Sequence, residues 1–173
     1  MDATRIQSQI FRGAGVASVL IGAVAFVLGA ACAFGSAPVG ITAYAAAVAI
    51  YAAALICGIA GAAATGTAKR YALLRFGRGA DGRSPRWGQV VSPCPRWVRW
   101  TFRAALAVML AYAALIWLQT WRNAGSMNAE KIAALFSAFA AAVACNGAVA
   151  FFAAAGWLTA RQQPDILYDD RST

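Results

Sequence analysis

Asn146 is the first residue whose type invites chemistry, a primary amide in the middle of an uncharged run from Ile132 to Ala160. An amide offers two donors and an acceptor oxygen, and in hydrocarbon it is costly unless they are paired. Asn146 is therefore expected to face another helix through an interhelical hydrogen bond of about 0.6–2 kcal/mol, rather than to hold a ligand or an ion. Cys94 is the second such residue, standing between Pro93 and Pro95. A cysteine beside a membrane span is the usual place for acylation, and Arg96 and Arg99 close by would favour its thiolate, but with no second cysteine or histidine near it in sequence a purely structural role is the stronger expectation. The third feature is the alternation Arg96-Trp97-Val98-Arg99-Trp100, with Arg86 and Trp87 ahead of it. This pattern sets indole rings at headgroup depth and guanidinium groups within reach of phosphate, as an anchoring collar on anionic lipid or as a surface for a partner.

What is missing narrows the chemistry further. The chain has no histidine, which removes His-ligated haem, most catalytic zinc sites and every Ser-His or Cys-His nucleophile. Its acids are Asp2, Asp81, Glu130, Asp165, Asp169 and Asp170, all outside the apolar runs, so the buried carboxylates of proton-driven pumps are not to be expected. Cys32, Cys57, Cys94 and Cys145 lie far apart with no C-x-x-C pair, and indicate neither a disulfide framework nor a zinc site. The expectation is a protein that is not an enzyme, with no catalytic residues, no metal and no cofactor.

The elements that must carry these residues follow from composition. Of 173 residues, 12% are charged and 61% hydrophobic, against about 25% charged in an ordinary soluble domain, so the bilayer is the expected solvent. A helical crossing takes about 20 apolar residues. Gly13 to Ala68 is uncharged for 56 residues, Ala104 to Trp121 for 18 and Ile132 to Ala160 for 29, which makes two crossings, one and one. The expected fold is all-α, a single domain built as an antiparallel bundle of four transmembrane helices at about 13–34, 41–68, 98–121 and 131–160. A basic loop at 69–97 and a mobile tail at 162–173 complete it. The first span is expected to be retained, since it exceeds the 7–15 residues of a signal-peptide core.

Within this outline, Gly35, Ser36 and Pro38 mark a tight turn, and Asn123, Gly125, Ser126 and Asn128 another. The second helix is expected to continue through Lys69 to Phe76, where Gly77, Gly79, Gly82, Ser84 and Pro85 break it. Pro93 and Pro95 are expected to hold an extended elbow. Gly58, Ala62 and Gly66 recur every four residues, as do Ala25, Gly29 and Ala33, and Ala140, Ala144 and Ala148. Such stripes let another helix backbone approach closely.

Charge sets the orientation. Residues 69–103 hold nine basic side chains against Asp81 alone, a net +8 of the chain's +9. This is expected to be a topology signal lying on anionic lipid rather than a nucleic-acid surface. Arg12, Lys69, Arg70, Arg103 and Arg161 flank spans on that side, against Arg122 and Lys131 on the other, so both termini are expected in the cytoplasm, with the protein in a bacterial inner membrane. Arg86-Trp87-Gly88-Gln89 in this loop resembles the corresponding loop of the small, non-catalytic membrane subunit of the phagocyte NADPH oxidase. The resemblance covers those four residues alone, and the proline-rich tail of that family has no counterpart here. With no catalytic residues and no sizeable soluble domain, the chain reads as a small non-catalytic integral membrane protein that binds, stabilises, regulates or inhibits, in the manner of an immunity protein, another membrane protein or a second copy of itself. The alternative is a small oligomeric transporter or channel with a weakly polar path around Asn146.

Overall fold

The computed structural model of the chain describes residues 3–34, 41–76, 85–123 and 129–162. Five helices account for nearly all of them: α1 (Ala3–Phe34), α2 (Ile41–Phe76), the single turn α3 (Trp87–Val90), α4 (Arg96–Asn123) and α5 (Ala129–Gln162). Four are long and apolar enough to cross a membrane. The expected turns at 35–38 and 124–128, the breakers from Gly77 to Ser84 and the tail beyond Gln162 lie outside the described residues. As expected, α2 runs on to Phe76. Unlike the expected span from about residue 13, α1 begins at Ala3, so Arg5 and Arg12 belong to the helix. A run of good helix formers with no Pro or Gly before Gly13 explains the earlier start.

The helices do not share the core equally. α1, α2 and α4 each lie along α5, α1 and α2 also touch, and α4 packs extensively against α5 alone. Accordingly 67% of the apolar stretch of α5 is buried, against 6% of that of α4. Alanine is the reason α5 takes the centre: Ala134, Ala140, Ala141, Ala144, Ala148, Ala153, Ala154 and Ala155 are all buried, and a methyl group keeps neighbouring backbones close on every side.

The seam between α1 and α5 has a seven-residue period. Ser8, Phe11, Gly15, Ser18, Gly22, Ala25 and Gly29 alternate spacings of three and four, and all but the half-buried Phe11 are buried. That repeat keeps one stripe of a helix facing a partner wound at a shallow angle. Gly15 lies under the Phe152 ring, where an added Cβ would come within 2.8 Å, Gly22 lies against Cys145, and Gly29 lies against Ser137. At the start of α1, Ser8 Oγ lies 3.1 Å from Thr159 Oγ1 and Arg12 donates to the same oxygen at 3.3 Å. Between α2 and α5 the approach is closer still. A Cβ on Gly61 would stand 2.7 Å from the Cα of Gly147, and one on Gly147 the same distance from the Cys57 carbonyl oxygen.

The small-residue stripes fall unevenly on these contacts. Ala25 and Gly29 are buried in the α1 seam, and Ala140, Ala144 and Ala148 inside α5's contacts. On α2, Gly58 rests on Val143, whereas Ala62 is exposed and a Cβ on Gly66 would meet nothing within 4 Å. The residue that brings α2's backbone against that of α5 is Gly61, one place off that stripe.

Candidate functional site

Two regions bear the residues singled out by their chemistry: the segment joining α2 to α4, and the side of α5 that its neighbours leave open. The segment from Arg86 to Pro95 is folded as turns, not as an extended elbow. The Arg86 N–H donates to Gln89 Oε1 at 2.9 Å, the Val91 N–H to the Trp87 carbonyl at 3.0 Å, and the Cys94 N–H to the Val91 carbonyl at 3.0 Å. Local hydrogen bonds thus satisfy much of its backbone, which lets its apolar side chains turn inward. Val90, Val91, Cys94 and Val98 are buried in one cluster with Ala68 and Ala72 of α2 and Ala150, Ala153, Ala154 and Trp157 of α5. Trp157 closes this cap. Its indole N–H donates to the Val90 carbonyl at 2.8 Å, and the Phe76 ring meets it edge-on at a centroid distance of 5.9 Å. Pro93 rests on Gly156, where a Cβ would collide at 2.6 Å.

This arrangement corrects the expectation for Cys94. Its side chain is 2% exposed, so the thiol is part of the packing. Burial pushes its pKa up to about 11, although the Arg99 guanidinium pulls the other way. Desolvation outweighs the cation because the thiol is enclosed on the side of the cluster. Maleimide is accordingly expected to leave Cys94 unlabelled at neutral pH in intact membranes and to label it once detergent and denaturant open the cap. Because the native pKa lies above the usual value of 9.0, this group's contribution to stability is full below pH 9 and is lost as pH rises towards 11. Rapid labelling at pH 7 in the folded state would contradict the burial.

Arg86, Arg96 and the indoles of the stretch point outward, while Arg99 is half-buried. Arg86 is exposed, and Trp87, Trp97 and Trp100 are 49%, 52% and 65% exposed. Trp97 still touches the bundle, edge-on to Phe152 at 5.7 Å. Arg103 stacks over Trp100, its guanidinium carbon 5.5 Å from the ring centroid.

Asn146 is placed differently from the expectation: within the chain it faces no helix. It is exposed, although Cys145 and Gly147 on either side are buried. Seven residues before it, on the same side of α5, Phe139 is 41% exposed, and Phe136 beside it is 53% exposed. Tyr51 of α2 flanks both rings, at 5.6 and 6.2 Å. Towards the end of α5 the same side is covered, since Ala150, Ala153 and Trp157 are buried beneath the cap. The open part of this side is therefore interrupted: Phe136, Phe139 and Asn146 are exposed, whereas Ala142 between them is buried and Val143 rests on Gly58 of α2, and it ends where the 86–95 segment begins. The Thr65 hydroxyl on α2 is satisfied within its own helix, donating to the Gly61 carbonyl at 3.0 Å.

Trp157 and the seam glycines are the residues that spacing by fours did not reveal. The recurrence of Ser8, Gly15, Gly22 and Gly29 at intervals of seven was the available signal for the seam. For Trp157 the only signal was a large indole in an otherwise alanine-rich stretch. No protein-family model, curated protein or solved structure matches the chain.

Proposed function

We propose that the chain is a small non-catalytic membrane protein, its four long helices crossing the bilayer in alternating directions, that binds and stabilises, regulates or inhibits another membrane protein through the open face of α5. The observation that carries this reading is the exposure of Asn146. Its amide stands on the most enclosed helix of the fold, makes no hydrogen bond among the described residues, and would meet hydrocarbon. A lipid-facing amide gains by pairing with a polar group on a further helix, and the exposed rings of Phe136 and Phe139 extend the surface such a helix would cover. Trp97 and Trp100 at one end of α4 and the exposed Trp117 at the other lie about 25–30 Å apart at 1.5 Å per residue, which suits the two interfaces of a bilayer. The basic end, with both termini, is placed in the cytoplasm by the positive-inside rule, and the membrane is a bacterial inner membrane on this reading.

The transporter alternative has less support. A cavity of about 220 Å³ between α1, α4 and α5 is lined by Phe26, Gly29, Val108, Tyr112, Leu115 and Ala134 among others. Its walls are almost wholly apolar and do not include Asn146, so they offer little to replace the hydration of an ion.

Purifying the tagged native protein in a mild detergent tests the proposal. A membrane protein is expected to co-purify in stoichiometric amount, and Asn146→Leu is expected to reduce its recovery several-fold while leaving the thermal stability of the isolated chain unchanged. Recovery that is indifferent to Asn146→Leu would refute the assignment of this face.

A further inference from the structure

Arg96, Arg99 and Arg103 stand at intervals of three and four, which places them on one face of the first two turns of α4. Together with Trp100 they line a single cavity of about 210 Å³. Three guanidinium groups crowded on one helix face repel one another. Arg103 is braced against the Trp100 ring. Arg99 is half-buried, whereas Arg96 and Arg103 are exposed. A helix start that only needed to mark the membrane surface would be served by cations fanned apart. Here they converge.

We propose that this cavity is a binding site for the terminal phosphate of an anionic phospholipid. The chemistry follows from the donor count. A guanidinium binds phosphate through a planar fork of two N–H groups, and a phosphomonoester presents three free oxygens with up to two negative charges to the three forks. A phosphodiester headgroup presents two oxygens and one charge and carries a further substituent where the third fork would bind. The exposed Trp100 lines the cavity, and an indole at a span end sits at the depth where headgroups lie, so the phosphate arrives on a lipid rather than from solution. This inference rests on the membrane placement proposed above but not on the partner helix at Asn146.

The test uses the full chain in detergent, titrated with phosphatidic acid or phosphatidylglycerol of equal chain length, and counts bound lipid by native mass spectrometry. Phosphatidic acid is expected to bind at least tenfold more tightly. Arg96→Gln and Arg103→Gln are each expected to abolish that preference, while Arg75→Gln, which removes an exposed cation from the end of α2, leaves it intact. Equal affinity for the two lipids, or an equal loss in the Arg75→Gln protein, would overturn the site and leave a diffuse basic surface. Glycerol 3-phosphate supplies the same phosphate without acyl chains; binding as tight as that of phosphatidic acid would overturn the lipid as its source. Co-purification with a membrane partner is read in a different experiment and has no bearing on any of these outcomes.

Discussion

Gly147→Leu is expected to part α2 from α5 and to destabilise the fold by about 3 kcal/mol, at the upper end of what overpacking a filled interior costs. The expectation comes from backbone meeting backbone. A Cβ at position 147 would lie 2.7 Å from the Cys57 carbonyl oxygen and 3.1 Å from its carbon, and one at Gly61 would lie 2.7 Å from the Cα of Gly147. No side chain stands between the helices to rotate away, so relief requires the helices themselves to move. The close approach supplies the dispersion contacts that hold helices together where burial from water gives no drive, and moving them apart forfeits those contacts along the interface. Ala62→Leu and Gly66→Leu provide the contrast. Both sites face outward on α2, and substitutions there are expected to stay within about 0.5 kcal/mol of the parent. Unfolding titrations of the four proteins in mixed micelles, followed by circular dichroism, would measure the difference. A Gly147→Leu protein as stable as the parent would mean that α2 and α5 are not in backbone contact.

That contrast also shows where the sequence was and was not informative. Four long helices could be read from the uncharged runs because hydrocarbon admits few charges and each crossing needs about 20 residues. The continuation of α2 to Phe76 could be read from helix formers followed by glycine. Which faces meet could not, since a chain with alanine at so many positions satisfies a spacing of four on nearly every face of every helix. The glycine at 61 was legible only as one small residue among many until Gly147 stood opposite it. The seven-residue recurrence of Ser8, Gly15, Gly22 and Gly29 carried more information, because glycine is costlier in a helix than alanine and is less often placed there by composition alone. Asn146 illustrates a different limit. Its need for a partner follows from the amide, but the side of α5 on which it falls depends on where three other helices pack. Cys94 reversed its expected exposure for a similar reason: neighbouring arginines in sequence suggested a reactive thiol, and the turns from Arg86 to Pro95 folded it inward.

Trp157 is where the cap and the bundle are joined, and its replacement is expected to separate the two. In the Trp157→Ala protein the loss of a buried indole should cost about 3–5 kcal/mol, with most of the damage at the 86–95 segment. The Trp157→Phe protein isolates the polar part of the contact. It keeps a ring against Phe76 and Ala72 but removes the donor that sits 2.8 Å from the Val90 carbonyl, leaving a buried acceptor unpaired at a cost of about 1–3 kcal/mol. The two variants should therefore differ in degree and agree in place. Cys94 reports the place, since its thiol is enclosed by the same cluster. Maleimide labelling at neutral pH is expected to be slow in the parent, measurable in Trp157→Phe and fast in Trp157→Ala, while α1 and α5 remain helical through their own seam. If Trp157→Ala left Cys94 as protected as in the parent, the segment would be held by its internal turns, by Pro93 on Gly156 and by its valines in the cluster. The indole would then be filling space rather than fastening the cap.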